Sequence, residues 1–164
     1  MEPGNPALVS RLTSTQIGAI GEAVIAAGLM LESDGRLAPF KPLADDDGID
    51  LLLFDKETKK PIPLQIKCRR KVDNASAGTV EFDVRCNKVP PSGYVLTALL
   101  DGPSVRTVWL IPVDAFKALA MRKAEKFVMV ACAKRDSEDR YREYRHEGLA
   151  TAVHAILTQL SSAP

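Results

Sequence analysis

The chain has 164 residues, 46% hydrophobic and 26% charged, with a formal net charge of +1. That length suits one domain whose core needs no staples, and the near-neutral balance excludes nucleic-acid binding through overall basicity, so such a partner would have to meet a local basic patch. Three cysteines, Cys68, Cys86 and Cys132, form no CxxC pair, which argues against a zinc framework and for reduced thiols in a cytoplasmic protein.

Residues 1–12 have neither a basic n-region nor an apolar h-region and are expected to be a flexible arm rather than a signal. A single domain is expected over 13–164. Thr13 and Gln16 fit a capping box, so a helix is predicted to start there. It carries Ile17, Ile20, Val24 and Leu31 on one stripe, with Gly21 and Gly28 close by, and stops near Ser33-Asp34-Gly35. Its longest apolar run, 23–31, is shorter than the ~20 residues of a membrane span, so no membrane association is expected.

A short strand is predicted over 37–43, then an acidic turn, Asp45 to Gly48. Residues 49–54 are apolar on both faces, as in a central strand. Residues 55–61 read as a solvated turn. In the next strand Ile62, Leu64, Ile66 and Cys68 point one way, and Gln65, Lys67 and Arg69 the other. Further strands are predicted over 79–85, 94–100, 105–111 and 127–133, with a short helix over 113–120 and a closing helix over 149–160. Helix, strands, short helix, strand and helix make a mixed α/β sheet flanked by helices.

Chemistry concentrates at the hairpin. With its turn centred on Thr58, Asp50 faces Ile66, and a one-residue offset brings it onto the face of Gln65 and Lys67. The Asp50 carboxylate, the Gln65 side-chain oxygen and the Ile66 backbone carbonyl are oxygen ligands suited to Mg²⁺. Such a cation activates water and stabilises charge on a phosphate, while Lys67 positions the water or neutralises the transition state. Lys59, Lys60, Arg69, Arg70 and Lys71 supply a local basic excess for a phosphate backbone.

These residues resemble the PD-(D/E)xK nuclease superfamily, particularly the Mrr-like restriction endonuclease branch with a QxK motif. The resemblance spans Gln16 to Arg70. Asp50 matches the metal-binding Asp, and Gln65-Ile66-Lys67 the (D/E/Q)xK strand. Glu22 resembles the acidic residue on the first helix, which can join the metal site. The resemblance implies a restriction endonuclease-like αβββαβ core, Mg²⁺ or Mn²⁺ as cofactor, cleavage of nucleic acid (duplex DNA), and compatibility with a homodimer. Ile49 stands where the name-giving Pro would be, and Gln65 replaces a carboxylate, removing one charge from the metal site.

Three readings follow. One is a metal-dependent nuclease-like domain hydrolysing DNA. Another is a catalytically degenerate nucleic-acid-binding or scaffold protein of the same fold. The third is a small α/β domain in which Lys67 is a solvated edge residue, Asp50 caps a turn and Glu22 is a surface carboxylate.

Overall fold

The computed structural model describes residues 12–44, 47–71 and 78–162. The expected arm, apart from Leu12, and the turn residues Asp45 and Asp46 lie outside them. Helix α1 spans Ser14–Glu32 and begins with the expected capping box: the Thr13 hydroxyl accepts from the Gln16 backbone N–H, and the Gln16 side chain accepts from the Thr13 N–H. Two of the helix's orphan donors are thereby satisfied locally. Its buried face is Gly21, Ile25 and Leu29, while Ile20 and Leu31 are exposed, so the packed stripe is rotated from the one expected. Gly21 sets it. A Cβ there would overlap the Cys68 thiol, so the absence of a side chain lets the helix lie close on the sheet. By length and composition α1 would also be long and apolar enough to cross a membrane; here its Gly21–Ile25–Leu29 face is part of the core.

Six strands form the main sheet: β1 (Leu37–Phe40), β2 (Leu51–Asp55), β3 (Pro61–Arg70), β5 (Tyr94–Asp101), β6 (Ser104–Pro112) and β9 (Arg145–Glu147), adjacent in that order. All neighbours run antiparallel except β3 and β5. The β3-to-β5 crossover contains β4 (Thr79–Arg85) and a 3-10 turn (Cys86–Lys88). β4 belongs to a second sheet, with β8 (Lys126–Cys132) between it and β7 (Met121–Lys123). α2 (Val113–Leu119) follows β6, and α3 (Gly148–Ser162) closes the described chain.

The cores lie on opposite faces of the main sheet. One combines Ile25 and Leu29 of α1, Leu64, Ile66 and Cys68 of β3, and Val153 and Ile156 of α3. The other joins Val95, Trp109 and Ile111 to Phe82, Met129 and Phe116. Trp109 meets Phe82 edge to face at 5.8 Å between ring centroids. The alternation of β3 therefore points Gln65, Lys67 and Arg69 toward the second sheet.

Two sequence expectations change here. Strand β2 lies second from the edge, and Leu51 and Leu53 are buried while Leu52 and Phe54 are half-buried. Asp55, expected in a solvated turn, is fully buried (0% exposed). The Arg36 guanidinium grips both its oxygens, at 2.8 and 3.0 Å, and the backbone N–H groups of Glu57 and Thr58 donate to it as well.

Candidate metal and nucleic-acid site

Asp50 sits where the β2–β3 ladder ends. The hairpin turn is one residue tighter than a turn centred on Thr58, because Asp55 N–H donates to the Lys60 carbonyl and Lys59 N–H to that of Asp55. Lys59 closes this four-residue loop with φ +60°, in the left-handed region. Leu51 then pairs with Leu64, and Asp50 N–H donates to the Leu64 carbonyl at 2.9 Å. The register therefore puts Asp50 opposite Gln65, the offset that brings both onto one face.

Beyond that point β2 supplies no further backbone partner for β3, and the Asp50 carboxylate substitutes. Its Oδ2 accepts from the Ile66 N–H at 2.7 Å and from Gln65 Nε2. Gln65 is buried, its Nε2 also lies 3.4 Å from the Ile66 carbonyl, and its Oε1 is buried with no hydrogen-bond partner among the described residues. Such an orphaned acceptor is costly unless something else meets it. Rotating the amide end for end would bring Oε1 toward Asp50 and the Ile66 carbonyl. Three oxygens so placed repel one another unless a cation lies among them. One carboxylate, one amide oxygen and one carbonyl, completed by waters, suit a hard divalent ion, so the residues present fit the implied metal.

Glu22 lies on α1. Its carboxylate holds Lys41 Nζ at 2.7 Å. Lys41 is raised above its ordinary pKa by that bond and, more weakly, by the charge of Asp50. The Cys68 thiol is pushed up to about 12, mainly by burial, with Glu22 and Asp50 adding to it. The charges of Glu22 and Asp50 thus act together on Lys41 and on Cys68. Among the described residues there is no cluster of three or more His, Cys, Asp or Glu side chains, so a cation here relies on Gln65 and the Ile66 carbonyl besides the acids. Lys41 was not visible from sequence, since nothing in its neighbourhood marks it before the chain folds back to Glu22.

Lys67 is half-buried on the same face of β3 as Gln65. Its charge helps hold Asp83 of β4 below the usual carboxylate range, alongside Lys126 and Arg69 and against the opposing effect of burial. The five expected nucleic-acid contacts do not form one patch. Lys59 and Lys60 lie at the start of β3 and Arg69, Arg70 and Lys71 at its end, roughly 30 Å apart at the usual rise per residue.

Gly48 positions the approach to Asp50. It has φ +70°, and a Cβ on it would overlap the Lys88 backbone. Only glycine combines that conformation with so close a contact.

Among solved structures the chain is similar to a bacterial homing endonuclease, I-Ssp6803I, with 21% identity and a TM-score of 0.62 over 92% of this chain and 95% of that one. A Holliday junction resolvase from Archaeoglobus fulgidus, Hjc, aligns over 76% of this chain and 96% of its own, at 14% identity and a TM-score of 0.41. No protein family and no curated protein matches the sequence. The mixed sheet flanked by helices is a restriction endonuclease-like fold.

Proposed function

We propose that this protein, built on a restriction endonuclease-like fold, is a metal-dependent nuclease-like domain that hydrolyses phosphodiester bonds in DNA. The observation carrying this reading is the meeting of Asp50, the Gln65 amide and the Ile66 carbonyl where the β2–β3 ladder ends, with Gln65 Oε1 buried and unpartnered among the described residues. Likeness to a homing endonuclease supports the choice of substrate class. Asp50, Gln65 Oε1 and the Ile66 carbonyl would hold Mg²⁺ or Mn²⁺, with Glu22 able to join once released from Lys41. A divalent cation bound there supplies charge neutralisation at the phosphate and a more acidic water. Asp50 orients that site from a fixed strand end. Lys67 places an ammonium beside the developing charge, where a fixed donor stabilises the transition state. We place the protein in the cytoplasm, with no membrane role.

A second reading is favoured by the same bonds. Gln65 already donates to Asp50, and Lys41 already neutralises Glu22, so these carboxylates have partners without a cation, as in a degenerate nucleic-acid-binding member of the fold. Plasmid cleavage across a Mg²⁺ and Mn²⁺ series, paired with calorimetry, separates the two. Under the nuclease reading the wild type cleaves at millimolar metal, Asp50→Ala loses metal and cleavage, and Lys67→Ala loses cleavage but keeps metal. A wild type without metal binding or cleavage, beside a Gln65→Glu variant that gains metal, supports the degenerate reading. Absence of metal binding in both proteins overturns the site assignment.

A further inference from the structure

Beyond the Asp50–Gln65 corner, the end of β3 opens into a cavity of about 690 Å³ between the two sheets. Its walls carry six cationic side chains, Arg69, Arg70, Lys71, Arg106, Lys134 and Arg135, against the carboxylates of Glu81 and Glu147. The cations come from three separate stretches: the end of β3, strand β6, and the segment after β8. Asp83 and Asp101 pair with some of them from nearby, and among the described residues these cations outnumber the carboxylates beside them, in a chain whose total formal charge is only +1. These ion pairs are exposed, with Lys71 and Arg106 at 3.5 Å from Asp101 and Arg135 at 3.3 Å from Glu147. Such pairs contribute little to stability, so an incoming anion exchanges for them cheaply. Val80, Leu99 and Ala133 give the cavity an apolar lining, and a low-dielectric wall strengthens the field of the cations above it.

We infer that this cleft binds the phosphodiester backbone of a nucleic-acid strand and feeds it along β3 toward Asp50 and Gln65. The identity of the polyanion rests on the nuclease reading above; the cleft itself does not. Arg69 shares the face of Gln65 and Lys67 and lies four positions beyond Gln65 along β3, about 13 Å away. A duplex strand advances about 3.4 Å along its axis per phosphate, so the cleft grips the strand roughly four phosphates from the candidate reaction centre. Arg106, Lys134 and Arg135 are binding residues under this inference. Lys59 and Lys60, at the other end of β3, stand outside it.

The test needs neither metal nor cleavage. Fluorescence anisotropy of a labelled oligonucleotide, as single strand and as duplex, is followed in chelator across a KCl series. The combined Arg106→Ala, Lys134→Ala, Arg135→Ala variant should bind at least about tenfold more weakly. Its log–log salt slope should flatten by about 2–3, close to one unit per lost phosphate contact. The charge-keeping variant Arg106→Lys, Lys134→Arg, Arg135→Lys should bind like the wild type, which guards against misfolding as the cause. Lys59→Ala with Lys60→Ala should leave the slope near the wild-type value. A preference between the two probes identifies which form of backbone the cleft accepts. An unchanged slope in the triple alanine variant overturns the inference, as does an equal loss in the Lys59/Lys60 variant. A wild type that binds through the cleft yet never cleaves with metal present would reject the nuclease reading and leave the cleft standing.

Discussion

Gln65 is the residue on which the chemistry turns. Its amide donates to Asp50 and leaves Oε1 buried without a partner among the described residues. Replacing it by Glu removes the donor and sets two carboxylates against each other, a like-charge pair that disfavours ionisation of both. In chelator Gln65→Glu is therefore expected to lower stability by roughly 1–3 kcal/mol, the usual cost of a broken buried hydrogen bond. Millimolar Mg²⁺ should restore that stability and bind more tightly than to the wild type, since a carboxylate is the stronger ligand for a hard cation. Urea unfolding with EDTA and with Mg²⁺ measures both effects. Identical curves for the variant under the two conditions would count against a cation at this position.

At the scale of elements, the site is made by a mismatch in strand length. β3 runs through Arg70, but its pairing with β2 stops at Leu64. The carboxylate of the residue preceding β2 fills the next ladder position, which satisfies a buried N–H that would otherwise be orphaned. The turn before Asp50 depends on Gly48. Gly48→Ala forces a side chain into the left-handed region and into the Lys88 backbone. A cost on the order of 3 kcal/mol is expected, from backbone strain and overpacking together. The urea midpoint should fall accordingly, and metal affinity with it, because Asp50 would be displaced. A midpoint like that of the wild type would mean the turn relaxes freely and does not set the position of Asp50.

For the molecule as a whole, acid sensitivity should centre on Asp55. This buried carboxylate joins the start of β1 to the β2–β3 turn through Arg36 and the N–H groups of Glu57 and Thr58. The Arg36 hydrogen bond, with those of Thr58 and the backbone, holds it well below the usual carboxylate range despite the opposing effect of burial. A carboxylate lowered in the folded state contributes stability that is present above its unfolded value, near 3.9. That contribution is lost as pH falls through the folded value. Asp55→Asn should cost about 3–5 kcal/mol near neutrality, because a buried pair loses one partner. The gap between wild type and variant should narrow on acidification below about pH 5. Urea midpoints at several pH values measure it, and a gap independent of pH would show that the charge of Asp55 is not what holds this junction.

The sequence by itself determined the local features: the capped start of α1 at Thr13, the alternation of β3, the strands over 79–85 and 105–111, and the Asp50/Gln65/Lys67 pattern. Each depends on residues within a few positions of one another, where capping and side-chain period act. Tertiary structure decided what depends on distant partners. The register that sets Asp50 opposite Gln65 follows from hydrogen bonds inside the turn, and a one-residue change there moves every side chain to the other face. Division of the strands into two sheets, the short β7 and β9, and the burial of Asp55 against Arg36 exist only once separated segments pair. Lys41 beside Glu22, and Arg106 and Arg135 lining the same cleft as Arg69, have no local signature for the same reason. Charge along a chain is read one residue at a time, whereas a site is the sum of charges that folding brings within a few ångströms.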